Sequence, residues 1–131
     1  MLRRLFGGGT GAQTEPGSGD APVPAVHAAL ARLEAGLDQF AIFDAGRNRY
    51  VQVNASLADE GLYGEAVANA YLKGDARLDE SAIQTLATMG WTITTADPNY
   101  SRTWPHWTGD HRSQVVDDIV GTLMLVYEMP P

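Results

Sequence analysis

Tyr63-Gly64-Glu65-Ala66-Val67-Ala68-Asn69-Ala70-Tyr71-Leu72 is the stretch whose reading decides the fold. Side chains alternate across a strand, so at period two Leu62, Gly64, Ala66, Ala68, Ala70 and Leu72 share one face. Tyr63, Glu65, Val67, Asn69 and Tyr71 share the other. The first row is small and apolar, which suits a surface on which helices pack closely. The second sets two phenols, a carboxylate and an amide around one valine. The stretch therefore reads as the middle strand of an antiparallel sheet with one face covered and one face free.

The flanking sequence supplies the neighbours. Phe40 to Ala45 is apolar and strand-like, Gly46-Arg47-Asn48 is a turn with Gly and Asn suited to positive φ, and Tyr50 to Ala55 returns. In the returning segment Val51, Val53 and Ala55 fall on one face, and Tyr50, Gln52 and Asn54 on the other. A less regular connection, Ser56 to Gly61, leads to the third strand, and the three form a meander. Upstream, Val26, Leu30, Leu33 and Leu37 make one helical stripe, with Pro24 in the first turn. Residues 7–22 have linker composition, with too few apolar side chains to offset backbone entropy, so residues 1–22 are expected to be a disordered tail.

Downstream, Asp79 is placed to cap a second helix that ends at Gly90, with Trp91 and Leu86 in the positions that touch in a Schellman motif. Trp91 to Thr95 and Tyr100 to Trp104 form a second hairpin around Asp97-Pro98-Asn99. Asp110 or Ser113 caps the last helix, whose apolar stripe is Val116, Ile119, Val120, Leu123, Met124 and Tyr127. The order α-β-β-β-α-β-β-α predicts an α+β fold: an antiparallel sheet with helices on one face, in a single domain over residues 23–129.

Composition narrows the function. The chain has 131 residues, enough for one domain with a real core, and no cysteine, which excludes disulfides, thiolate metal sites and thiol catalysis. Arg3 and Arg4 cancel Glu15 and Asp20, so the net charge of −7 belongs to the part beyond residue 22. An acidic domain repels phosphate backbones and suits a basic or apolar polypeptide better than nucleic acid. No apolar run approaches a membrane span, and Leu2 to Phe6, interrupted by Arg3 and Arg4, is too short for an export signal. The cytoplasm is the expected compartment.

No convincing catalytic set emerges. His106, Asp110 and His111 offer three nominal metal ligands, but a helix starting near residue 110 puts Asp110 and His111 on different faces. A polar loop before the helix explains them better. Glu65 has no identifiable acid partner for glycosidase chemistry, and the serines lie in no nucleophile elbow. The tyrosines point elsewhere. Tyr50, Tyr63 and Tyr71 share strand faces with Gln52, Asn54, Glu65 and Asn69, and phenols beside amides make a contact surface with low ordering cost. An exposed sheet edge would also accept an extended peptide by strand addition.

Four tracts together resemble a known family. They are Tyr50-Val51-Gln52, Gly64 to Leu72, Leu86-Ala87-Thr88-Met89-Gly90-Trp91, and Pro98-Asn99-Tyr100-Ser101-Arg102. Over roughly residues 25–128 the chain is similar to the TY-Chap group of actinobacterial proteins, related to YbjN-like proteins and type III secretion chaperones. The resemblance implies a chaperone-like α+β fold and a peptide- or protein-binding role, with no catalytic residues and no cofactor.

The expectation is thus a non-enzymatic module that binds a polypeptide client, a chaperone or adaptor for a secreted or regulatory protein, through Tyr50, Gln52, Asn54, Tyr63, Glu65, Asn69 and Tyr71. Two alternatives stand beside it. One is a regulatory or structural protein acting as a homodimer through the last helix or an unpaired strand edge. The other is a small hydrolase or metal-binding protein using Glu65 and the His106–His111 loop.

Overall fold

A computed structural model describes residues 11–14, 22–55, 61–94 and 97–129. Its elements run β1 (Gly11–Thr14), α1 (Pro22–Glu34), β2 (Phe40–Gly46), β3 (Arg49–Ala55), β4 (Leu62–Ala66), α2 (Glu80–Thr88), β5 (Thr92–Ile93), β6 (Tyr100–Trp104) and α3 (Arg112–Gly121). The sheet has six strands in the order β1-β2-β3-β4-β6-β5. β1 pairs with β2 in parallel, and the other ladders among the described strands are antiparallel. The fold is α+β, with the expected meander at β2-β3-β4. Most of the tail expected over residues 1–22 lies outside the described residues; within it, Gly11–Thr14 form β1 and Pro22 begins α1.

Local chemistry explains most boundaries. The β2–β3 turn has positive φ at Gly46, Arg47 and Asn48, and the Asp44 carboxylate accepts from the Gly46 N–H at 2.8 Å. Asp79 caps α2 by accepting from the Ala82 N–H at 2.8 Å. At the other end of α2, Gly90 has φ +91, the Trp91 N–H donates to the Leu86 carbonyl (3.0 Å), and the Gly90 N–H donates to that of Ala87 (3.1 Å). This is the predicted Schellman motif.

Four expectations are corrected. α1 ends at Glu34 because Gly36 takes φ +75, so Leu37 is 62% exposed and lies outside the stripe. The last helix begins after a 3₁₀ turn (Gly109–His111), and no side chain caps it, neither Asp110 nor Ser113. Its final turn, Thr122–Val126, is a π-helix, closed by Tyr127 N–H to the Thr122 carbonyl at 3.2 Å. The wider turn rotates Met124 out to solvent while Val126 and Tyr127 stay buried. Finally, the central strand stops at Ala66 instead of running to Leu72.

The core lies between the sheet and the helices. In one cross-strand row Phe43, Val51, Ala66 and Tyr100 are all buried, and Val26, Leu30, Val116, Ile119 and Leu123 meet that side from α1 and the last helix. Trp91 and Trp104 meet edge to face with centroids 5.9 Å apart. Their indole N–H groups donate to Thr122 Oγ1 (3.0 Å) and Asp118 Oδ2 (2.9 Å), which ties the sheet side to the last helix.

Candidate functional site

The opposite sheet face is built from two cross-strand rows. Ile42, Gln52, Glu65 and Ser101 are register partners in one, and Phe40, Asn54, Tyr63 and Thr103 in the other. Exposure rises across them. Ile42 is buried, Gln52, Asn54, Tyr63 and Glu65 are half-buried, and Thr103 is exposed. Sequence reading placed Gln52, Asn54, Tyr63 and Glu65 here, and the pairing brings them together. Ser101 and Thr103 were missed; their alternation in Tyr100–Trp104 was the available signal, but not which strand they would pair with.

Three residues assigned to this face are positioned otherwise. Tyr50 is 1% exposed, and its hydroxyl accepts from Asn99 Nδ2 at 3.3 Å. Asn69 lies past the strand, in a 3₁₀ turn (Asn69–Tyr71), where its side chain brackets the backbone of Leu78. Its Oδ1 accepts from the Leu78 N–H (2.7 Å) and its Nδ2 donates to the Leu78 carbonyl (3.0 Å). Tyr71 follows in the same turn and is 39% exposed, with its carbonyl accepting from Asn48 Nδ2 at 3.1 Å. The cause is one side chain: Asn99 Oδ1 takes the Ala68 N–H at 3.0 Å and turns the chain out of the ladder. Period two therefore fails after Ala66.

The Asp97-Pro98-Asn99 turn also sets the electrostatics of the face. Burial, then the negative charge of Asp97 and a hydrogen bond with it, hold the Glu65 carboxyl above its ordinary range, while Asn99 acts the other way. A hydrogen bond between two carboxyl groups needs one proton between them. Burial and then the Glu65 charge raise the Tyr63 phenol, so it stays neutral in the physiological range. Because the fold favours protonated Glu65, the folded state holds more protons than the unfolded chain between the ordinary and the raised pKa. Stability accordingly falls as pH rises through that window. Glu65→Gln is expected to be more stable than the wild type above the window and to lose that advantage below it, read as urea midpoints across an acid-to-neutral series.

His106 and His111 stack with centroids 5.2 Å apart. Among the described residues, no group of three or more His, Cys, Asp or Glu is placed to hold a metal ion. No helix there is long and apolar enough to cross a membrane.

The sheet thus has one face covered by helices and, opposite it, a half-buried polar face with tyrosine among amides. The family model described as "T3SS (YopN, CesT) and YbjN peptide-binding chaperone 3", TY-Chap3, matches residues 25–131. The chain belongs to the TY-Chap3 family. No curated protein and no solved structure was found to match it. The tracts that carry the likeness are largely architectural in this TY-Chap3 chain. Gly90 and Trp91 end α2, Asn99 ends β4, and Arg102 donates to the Met89 carbonyl at the end of α2, pairs with Asp118 (3.5 Å) and lies 4.4 Å over the Trp104 ring.

Proposed function

We propose that this chain is a non-enzymatic chaperone or adaptor that holds a secreted or regulatory polypeptide, in the cytoplasm, on the sheet face bearing Gln52, Asn54, Tyr63 and Glu65. The observation that carries the reading is the pairing of Gln52 with Glu65 and Asn54 with Tyr63, which makes one half-exposed polar patch opposite the helices. Its amides, carboxyl and phenol offer donors and acceptors to an extended backbone, and the ring adds apolar contact at low entropic cost. The net charge of −7 favours basic or apolar clients and disfavours nucleic acid.

Reduced and carboxamidomethylated lysozyme, a basic chain that stays extended, is a suitable probe. Tyr63→Ala is expected to weaken its capture about tenfold, the effect of losing ~1.4 kcal/mol of contact. Thermal stability should change little, because the ring is only partly buried. Unchanged capture in a folded variant would remove this face from the reading.

A second reading is self-association. Leu125 and Met124 on the π turn are 72% and 38% exposed and give an apolar projection next to α2. Light scattering over a concentration series separates the two, since a strict monomer eliminates the dimer.

A further inference from the structure

We propose that the outer edge of β2 is a strand-addition site for an extended polypeptide, and that the chain's own β1 occupies it as a displaceable stand-in. This rests on the peptide-binding reading and adds to its face a second point of contact, at the sheet edge. Gly11, Ala12, Gln13 and Thr14 pair with Phe40, Ala41, Ile42 and Phe43. The pairing is parallel in a sheet whose other described ladders are antiparallel. β1 also precedes residues 25–131, the part that matches the family model.

The two partners are unequal. Phe40-Ala41-Ile42-Phe43 carries no charge and no proline, the features that normally blunt a sheet edge, so something must cover it. Gly-Ala-Gln-Thr, in contrast, has weak strand propensity, and only Thr14 is β-branched. In sequence it lies between Gly7-Gly8-Gly9 and Pro16-Gly17-Ser18-Gly19. Because β1 belongs to the same chain as β2, its effective concentration at that edge is high enough to seat a weak strand without making it permanent. A client segment of four or more β-branched or aromatic residues would form the same main-chain hydrogen bonds with better side-chain packing, and would replace β1.

The chain has no cysteine, so a single engineered pair is unambiguous. Ala12→Cys with Ala41→Cys joins register partners across neighbouring strands, within the reach of a disulfide. The oxidised full chain is expected to capture carboxamidomethylated lysozyme at least tenfold more weakly than the same chain reduced. A second variant, Ala12→Pro with Gln13→Pro, removes both neighbouring N–H groups, one of which must face β2. It should speed amide exchange at Phe40–Phe43 and tighten capture. Equal capture by oxidised and reduced chains, with capture still lowered by Tyr63→Ala, would overturn the strand-addition proposal and leave the peptide-binding face standing. Unchanged exchange at Phe40–Phe43 in the proline variant would overturn it independently. Capture by no form of the chain would overturn both readings.

Discussion

Tyr50→Ala is expected to cost about 3–5 kcal/mol of folding stability, the range for truncating a large buried aromatic side chain. For a domain of this size that lowers the melting temperature by on the order of 15 °C. The ring is 1% exposed, and its hydroxyl accepts from Asn99, which also holds the Ala68 N–H. The backbone carbonyl of Tyr50 accepts from the Val67 N–H at 3.2 Å, so the residue joins β3 to the point where β4 ends. Tyr50→Phe isolates the hydroxyl and should cost about 1 kcal/mol. Urea unfolding of both variants, beside Tyr63→Ala, checks the assignment. A near-neutral Tyr50→Ala that still weakened client capture would return Tyr50 to the binding face.

The contrast between Tyr50 and Tyr63 shows what the sequence could carry. Features whose partners lie within a few residues were legible. The Gly46-Arg47-Asn48 turn, the Asp79 cap and the Leu86–Trp91 closure of α2 follow from residue type and spacing alone. The alternation of β3 and β4 gave the correct face to Gln52, Asn54, Tyr63 and Glu65. The errors arise where distant groups compete. Nothing in Val67 to Leu72 announces that Asn99, some thirty residues on, will take the Ala68 N–H, or that Asn69 will bond Leu78 instead of facing solvent. The π turn is equally hidden, since Val116 to Tyr127 fits an ordinary helix until Thr122 accepts from Tyr127. β1 has no pattern to read. Gly-Ala-Gln-Thr alone does not announce that it pairs with Phe40–Phe43.

Gly64→Val should destabilise the fold by about 3 kcal/mol, the upper part of the usual overpacking range. A Cβ on Gly64 would lie 2.6 Å from Trp104 Cζ3, 3.0 Å from its Cη2 and 3.1 Å from Trp91 Cη2. The small row of β4 is thus needed beneath two indoles, and not simply beneath a helix. Trp104 has little freedom to retreat. Its N–H is held by Asp118, the Arg102 guanidinium covers its ring, and Trp91 abuts it while bonded to Thr122. Gly64→Ala should show a smaller loss, and Trp104→Leu in the same chain should recover part of it, giving a coupling of about 1 kcal/mol in a double-mutant cycle. No loss in Gly64→Ala would mean that the indoles are not packed on the strand as described. The functional consequence follows from position. Gly64 lies between Tyr63 and Glu65, so a strand pushed off the indoles carries both away from Asn54 and Gln52. Capture of an extended client should therefore fall together with stability in Gly64→Val, whereas Tyr63→Ala separates the two.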